Sequence, residues 1–212
     1  MRAAESMHWR HWNPGLDNGE KTLGEVLETL PAAPPEAIPL IIRIVENPSS
    51  MIALPGAITL ERHDAVHVLL GRGLTTQDEA FVIGFTMGAT KKLRRWQERV
   101  FEFAATKLYP QPYAFTEDDL ISWRLGVAEG RKQNVVRLDN LPLENAGHLR
   151  LKDLRQMLGI DTLQLRAVNR KMQVIRPDGP ATRRLDLDVD GIDAAATVRP
   201  DGPPSDWKKE RS

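Results

Sequence analysis

The sequence predicts an all-α protein, a single-domain helical bundle with a flexible N-terminal arm and a disordered C-terminal tail. Three observations predict it. Apolar residues recur at three- and four-residue spacing between Glu36 and Leu158. Threonines stand where helix N-caps belong, at Thr59, Thr76 and Thr116. Proline and glycine mark the ends of the periodic runs, at Pro48, Gly71 to Gly73, Pro110 and Gly159.

The elements follow in order. Residues 1–34, with Asn13-Pro14-Gly15, Asn18-Gly19 and the prolines from Pro31 to Pro35, read as an arm holding one short helix around Leu23 to Leu30. Ile38, Ile41, Ile42 and Val45 form a buried helix that stops before Pro48. After the apolar stretch Ser49 to Leu60, a helix starts behind Thr59 and ends at Gly71-Arg72-Gly73. The next helix is expected to be the longest, from Thr76 to about Leu108, where Pro110 and Pro112 forbid continuation. Its first half is apolar nearly all round and should be buried; Gly84 and Gly88 share one face, and close packing is favoured over a ligand contact as their reason. Thr116 caps a helix running to about Leu138, and Leu149 to Leu158 forms a shorter one closed by Gly159. Leu163 to Ile175 alternates loosely, which suggests a hairpin. The domain reading is therefore an arm over 1–34, a helical core over 35–160, a hairpin or extension over 161–177 and a tail over 178–212 whose composition cannot offset its ordering entropy.

Composition narrows the chemistry. Basic and acidic residues balance at 29 each, so no overall field draws the chain to nucleic acid. The absence of cysteine excludes disulfides, thiolate-bound zinc, iron–sulfur clusters and thiol nucleophiles, which leaves histidine and carboxylate to do any site chemistry. The first residues lack the basic and apolar regions of a secretory signal, and no stretch reaches the ~20 apolar residues that span a bilayer. The expected setting is a bacterial cytoplasm, with contact at the inner face of the membrane.

One constellation carries chemistry. His63 and His67 are four apart in the helix behind Thr59, so both imidazoles leave one face about 6 Å apart at Cβ, the spacing for sharing a metal ion. Asp64 lies about 100° round that helix from His63 and is placed to ligate or to orient a histidine. Glu79 sits in the first turn of the next helix, positioned to close the site. Spacing alone leaves two plainer readings open: a chance histidine pair on an exposed helix, and a capping box of Thr76 with Glu79. His8, His11 and His148 have no partner at ligand spacing.

The string from Arg62 to Gly71, RHDAVHVLLG, with Glu79-Ala80 following His67 after eleven intervening residues, resembles the signature of the coenzyme Q biosynthesis protein 4 family. The resemblance extends over about 36–160, including Trp123 to Arg131 and Leu141 to Ile160. It implies an all-helical fold and a divalent metal, zinc first, held by His63, Asp64, His67 and Glu79 as the catalytic set. Iron, manganese and cobalt remain chemically open for such ligands. It also implies a polyprenylated lipid or quinone precursor as partner, and a reaction replacing the ring C1 carboxylate of a polyprenyl-hydroxybenzoate by hydroxyl. Other quinone-pathway enzymes and a second copy of the chain are further expected partners; nucleic acid is not.

Candidates for a prenyl groove are the Ile38 to Val45 helix, the Met51 to Leu60 segment and the Phe81, Phe85 face, while Arg94, Arg95 and Arg99 offer cations for a lipid phosphate. Two other functions share the residues. In one the metal is structural and the protein a scaffold presenting an isoprenoid lipid. The other is a metal hydrolase, suggested by His63-Asp64 and by the His-x-x-x-His spacing, but it lacks the glutamate that zinc peptidases place after the first histidine and the further ligand motifs of phosphohydrolases.

Overall fold

The computed structural model describes residues 9–31, 60–108, 114–136, 138 and 145–179. Among these the protein is helical and has no β-strand; one isolated bridge joins Thr22 to Arg150. The helices are α1 (Leu23–Leu27), α2 (Leu60–Leu70), α3 (Thr76–Ala89), α4 (Arg95–Phe103) continued by a π-helical turn (Ala104–Leu108), α5 (Glu117–Lys132), α6 (Leu151–Leu158) and α7 (Thr162–Ile175). The expected helix from Ile38 to Val45 and the tail over 180–212 lie outside the described residues.

Helix α3 is the centre of the bundle and is covered on every side: all residues from Gln77 to Ala89 are buried. One face, with Phe81, Val82 and Phe85, joins a core built with α2, α6, α7 and the N-terminal segment. The opposite face, with Ile83 and Met87, joins a second core with Phe101 and Trp123 from α4 and α5. Between the two cores, Gly84 and Gly88 meet Gly126 and Gly130 of α5. A Cβ at Gly84 would stand 2.2 Å from the Trp123 carbonyl oxygen, and one at Gly130 would stand 2.2 Å from that of Phe85. Later residues of α3 meet later residues of α5, so the two helices run parallel with their backbones in contact. Packing, not a ligand, accounts for Gly84 and Gly88.

The described part of the arm, 9–31, is folded onto the bundle. Trp12, Leu16, Leu23 and Val26 are buried, and the Trp12 indole N–H donates to Thr29 Oγ1 at 3.0 Å. The guanidinium of Arg155 on α6 is itself buried; its Nε donates to the Leu69 carbonyl (2.9 Å), Nη2 to that of Val68 (3.1 Å) and Nη1 to that of Leu16 (3.3 Å). It thus adds donors to carbonyls at the negative end of α2 and ties the arm to it.

Three expectations are corrected. The helix expected from Thr76 to Leu108 is broken after Ala89. Lys91 takes a left-handed conformation (φ 57°), and its Nζ donates to the carbonyls of Gly130, Arg131 and Gln133 at the C-terminal end of α5. Thr90 Oγ1 meanwhile donates to the Met87 carbonyl, a local bond that competes with helix continuation. Second, 162–175 is a helix and not a hairpin. Asp161 caps it by accepting from the backbone N–H groups of Leu163 and Gln164, and its buried residues Leu165, Val168, Asn169 and Met172 follow the 3.6 period. Third, α5 ends at Lys132 and does not reach Leu138, because the buried Gln133 turns the chain toward α7, accepting from the Asp161 N–H and donating to Glu129.

Candidate metal centre

Helix α2 presents His63 and His67 on one face, and its last turn opens at Gly71, which is left-handed (φ 64°) and whose lack of a Cβ lets it approach the Gly15 carbonyl. The chain re-enters helix at Thr75. Thr75 is the N-cap: its Oγ1 accepts from the Asp78 N–H, and the Asp78 carboxylate accepts from the Thr75 N–H and O–H. The capping box is therefore Thr75 with Asp78, one residue earlier than Thr76 with Glu79, and Glu79 is released to face α2.

Glu79 and the two imidazoles converge. Glu79 Oε2 lies 2.8 Å from His63 Nε2, Glu79 Oε1 lies 3.3 Å from His67 Nε2, and the two Nε2 atoms are 3.0 Å apart. His63, His67 and Glu79 are 5 %, 0 % and 5 % exposed, so the plainer reading of a surface coincidence is excluded. Two donors each about 2.0–2.2 Å from one ion, at angles near those of tetrahedral or octahedral sites, stand roughly 2.9–3.5 Å apart. The observed triangle fits, and His63, His67 and Glu79 form a buried cluster that can hold a metal ion.

His67 Nδ1 lies 2.8 Å from the Gly73 carbonyl oxygen, which can only accept; Nδ1 therefore carries the proton, and Nε2 is left as the ligand atom. Burial, the largest influence on His67, lowers its pKa, but the charge and hydrogen bond of Glu79, with Asp64 and Asp78 behind them, raise it to about 9. Burial likewise acts to raise Glu79, and the two histidines overcome it and hold the carboxyl well below the usual range.

That balance gives a pH signature. The raised His67 contributes stability that is full below its ordinary pKa of 6.5 and is lost as pH rises toward about 9. The lowered Glu79 contributes stability that is full above 4.5 and lost as pH falls below it. The metal-free protein is expected to lose a few kcal/mol between pH 6.5 and 9, read by thermal melts, whereas metal affinity rises over the same window as proton competition eases. A flat apo profile there would show that His67 is neutral throughout.

Asp64 is not among the converging donors. It is half-buried, burial raises its pKa, and its charge reaches the pair from the flank. His11 and His148 are exposed and separate from the cluster, and His8 lies outside the described residues. Arg94, Arg95 and Arg99 are exposed. Phe81 and Phe85 are fully buried core and the Gly84, Gly88 face is filled by α5, so neither lines a groove; the other groove candidates, Ile38 to Val45 and Met51 to Leu60, are not described in their side chains. A cavity of about 460 Å³ opens between the N-terminal ends of α3 and α5, lined in part by Thr75, Thr76 and Gln77 from the turn that leads into Glu79.

Two site residues carried no local signal. Arg72, between the two turn glycines, is buried over the Phe81 ring (3.8 Å) and donates through Nη2 to Asn169 Oδ1 on α7 at 2.7 Å. Helix α7 thereby fixes the loop whose Gly73 carbonyl orients His67. Asn169→Ala is expected to weaken metal binding by roughly 10–100-fold, as removal of an outer-shell partner does, and to cost about 2 kcal/mol through loss of a hydrogen bond to a buried charged group. Isothermal titration with zinc and a melt check both; unchanged affinity would make α7 irrelevant to the site.

Comparison of the chain with family models, with curated proteins and with solved structures gave no match.

Proposed function

We propose that the protein is a metal-dependent enzyme of quinone biosynthesis, resembling the coenzyme Q biosynthesis protein 4 family, which removes the ring C1 carboxylate of a polyprenyl-hydroxybenzoate oxidatively. The observation that carries the reading is the buried triangle of His63 Nε2, His67 Nε2 and a Glu79 carboxylate, assembled from the residues that carry the motif resemblance. Two imidazoles with one carboxylate leave coordination positions for a substrate. Zinc is the proposed ion by resemblance.

A divalent ion held there supplies Lewis-acid polarisation of the substrate's carboxylate and adjacent oxygen. The chain does the rest. Gly73 fixes the His67 tautomer, Glu79 balances the charge, and the surrounding core excludes bulk water. With dioxygen as oxidant the reaction balances: the arene carboxylic acid, O₂ and water give the phenol, CO₂ and hydrogen peroxide. The C–C bond to the carboxyl breaks, a C–O bond forms, and the electron pair passes to dioxygen.

Zinc- and iron-loaded protein should be incubated in air with a polyprenyl-hydroxybenzoate and the lipid extract analysed by mass spectrometry, beside His63→Ala. Hydroxylated, decarboxylated product that depends on His63 supports the enzyme. Near-total burial of the three donors also suits a structural metal, and precursor bound yet recovered intact would assign the scaffold role instead.

A further inference from the structure

We infer that the exposed face of α4 is a lipid-binding surface, with Trp96, Phe103 and Leu108 entering the headgroup boundary of an anionic bilayer while Arg94, Arg95, Arg99 and Lys107 meet its phosphates. The inference is independent of the chemistry at the metal centre. It starts from the helix having two aromatic faces. Phe101 is buried, stacked on Trp123 with ring centroids 4.7 Å apart. Trp96 and Phe103, seven residues apart and so within about 20° of each other round the helix, point the other way at 57 % and 60 % exposure; Leu108, at the end of the π-helical turn, is 64 % exposed. A core needs only the first face.

Charge is sorted in the same way. Between Lys91 and Leu108 six basic residues stand against two acidic ones, in a chain whose totals are equal. Both acids are engaged by arginines of α5, Glu98 with Arg131 at 2.6 Å and Glu102 with Arg124 at 2.8 Å. Lys92, Arg94, Arg95, Arg99 and Lys107 are exposed with no carboxylate partner among the described residues. An apolar stripe ringed by unpaired cations is complementary to acyl chains beneath anionic headgroups. A nucleic acid offers nothing to Leu108. No described helix is long and apolar enough to cross a membrane, so the contact is peripheral.

The full chain should be co-sedimented with vesicles of phosphatidylcholine alone and of phosphatidylcholine with phosphatidylglycerol, at low and high salt, beside Trp96→Ser/Phe103→Ser and Arg95→Glu/Arg99→Glu. Binding is expected to need phosphatidylglycerol, to weaken with salt, and to fall roughly tenfold or more in either variant. Brominated lipid should quench wild type more than Trp96→Phe. Because all the substituted side chains are exposed, the variants should keep the wild-type melt and metal content. Absence of binding to anionic vesicles, or binding that both variants retain, overturns the inference. So does a dimer in sedimentation velocity that Trp96→Ser/Phe103→Ser dissociates, since the face is then an interface between copies, and so does preferential binding of single-stranded nucleic acid through the same residues.

Discussion

Glu79→Gln is expected to abolish metal binding and to lower the stability of the metal-free protein by about 3 kcal/mol, the cost of breaking a buried charged pair. The substitution keeps the shape and burial of the side chain, so the effect is electrostatic. With the carboxylate gone, desolvation dominates His67 and drives it neutral, and two imidazole Nε2 atoms 3.0 Å apart then have no charge to organise them. The loss of affinity should exceed the roughly 10–100-fold that an outer-shell partner carries. Metal content by plasma mass spectrometry and a thermal melt read the two effects. Asp78→Asn is the control: Asp78 serves the capping box with Thr75, so it should cost about 1 kcal/mol and leave metal binding in place. Retention of stoichiometric metal by Glu79→Gln would reduce the cluster to a hydrogen-bonded core.

Much of this site was legible in the sequence because its two histidines obey a helical spacing that local periodicity exposes, and its glutamate follows a short turn bounded by glycines. The capping register was less legible: Thr75 and Thr76 are both competent N-caps, with Asp78 and Glu79 each three residues on, and only tertiary packing decides which acid caps and which faces α2. Asp64, about 60° from His67 round the helix, is outside the converging set of His63, His67 and Glu79 and acts on His67 through its charge, a distinction that angular position alone does not make. Arg72 and Asn169 are 97 residues apart and meet only through the fold. The misread elements have a common cause. Lys91 ends α3 by reaching carbonyls about 40 residues away, and α7 is decided by where Leu165, Val168 and Met172 find a core; neither is visible in a local window.

The second large effect concerns the crossing of α3 and α5. In an exposed helix, replacing glycine by alanine stabilises by about 1 kcal/mol through propensity alone. At Gly84, Gly88, Gly126 and Gly130 the sign should reverse. The added Cβ would lie 2.2–2.3 Å from a backbone carbonyl oxygen of the facing helix, and a carbonyl within a helical ladder cannot rotate aside as a side chain would. Relief requires the axes to separate, which loosens Phe81 and Phe85 on one side and Trp123 on the other, all fully buried. Separation also strains the bond from Ser122 Oγ to the Gln77 carbonyl, in the turn that carries Glu79. Each single alanine is expected to cost on the order of 3 kcal/mol, at the upper end of overpacking effects, a fall in Tm of roughly 6–12 °C for a chain of this size, together with weaker zinc binding as the first turn of α3 shifts. Gly147→Ala, whose Cβ would meet only the Gly24 Cα at 3.9 Å, should change stability by less than about 0.5 kcal/mol. If the crossing variants melt at or above the wild-type temperature, the helices are not in backbone contact, and the parallel pair cannot be what holds Glu79 against α2.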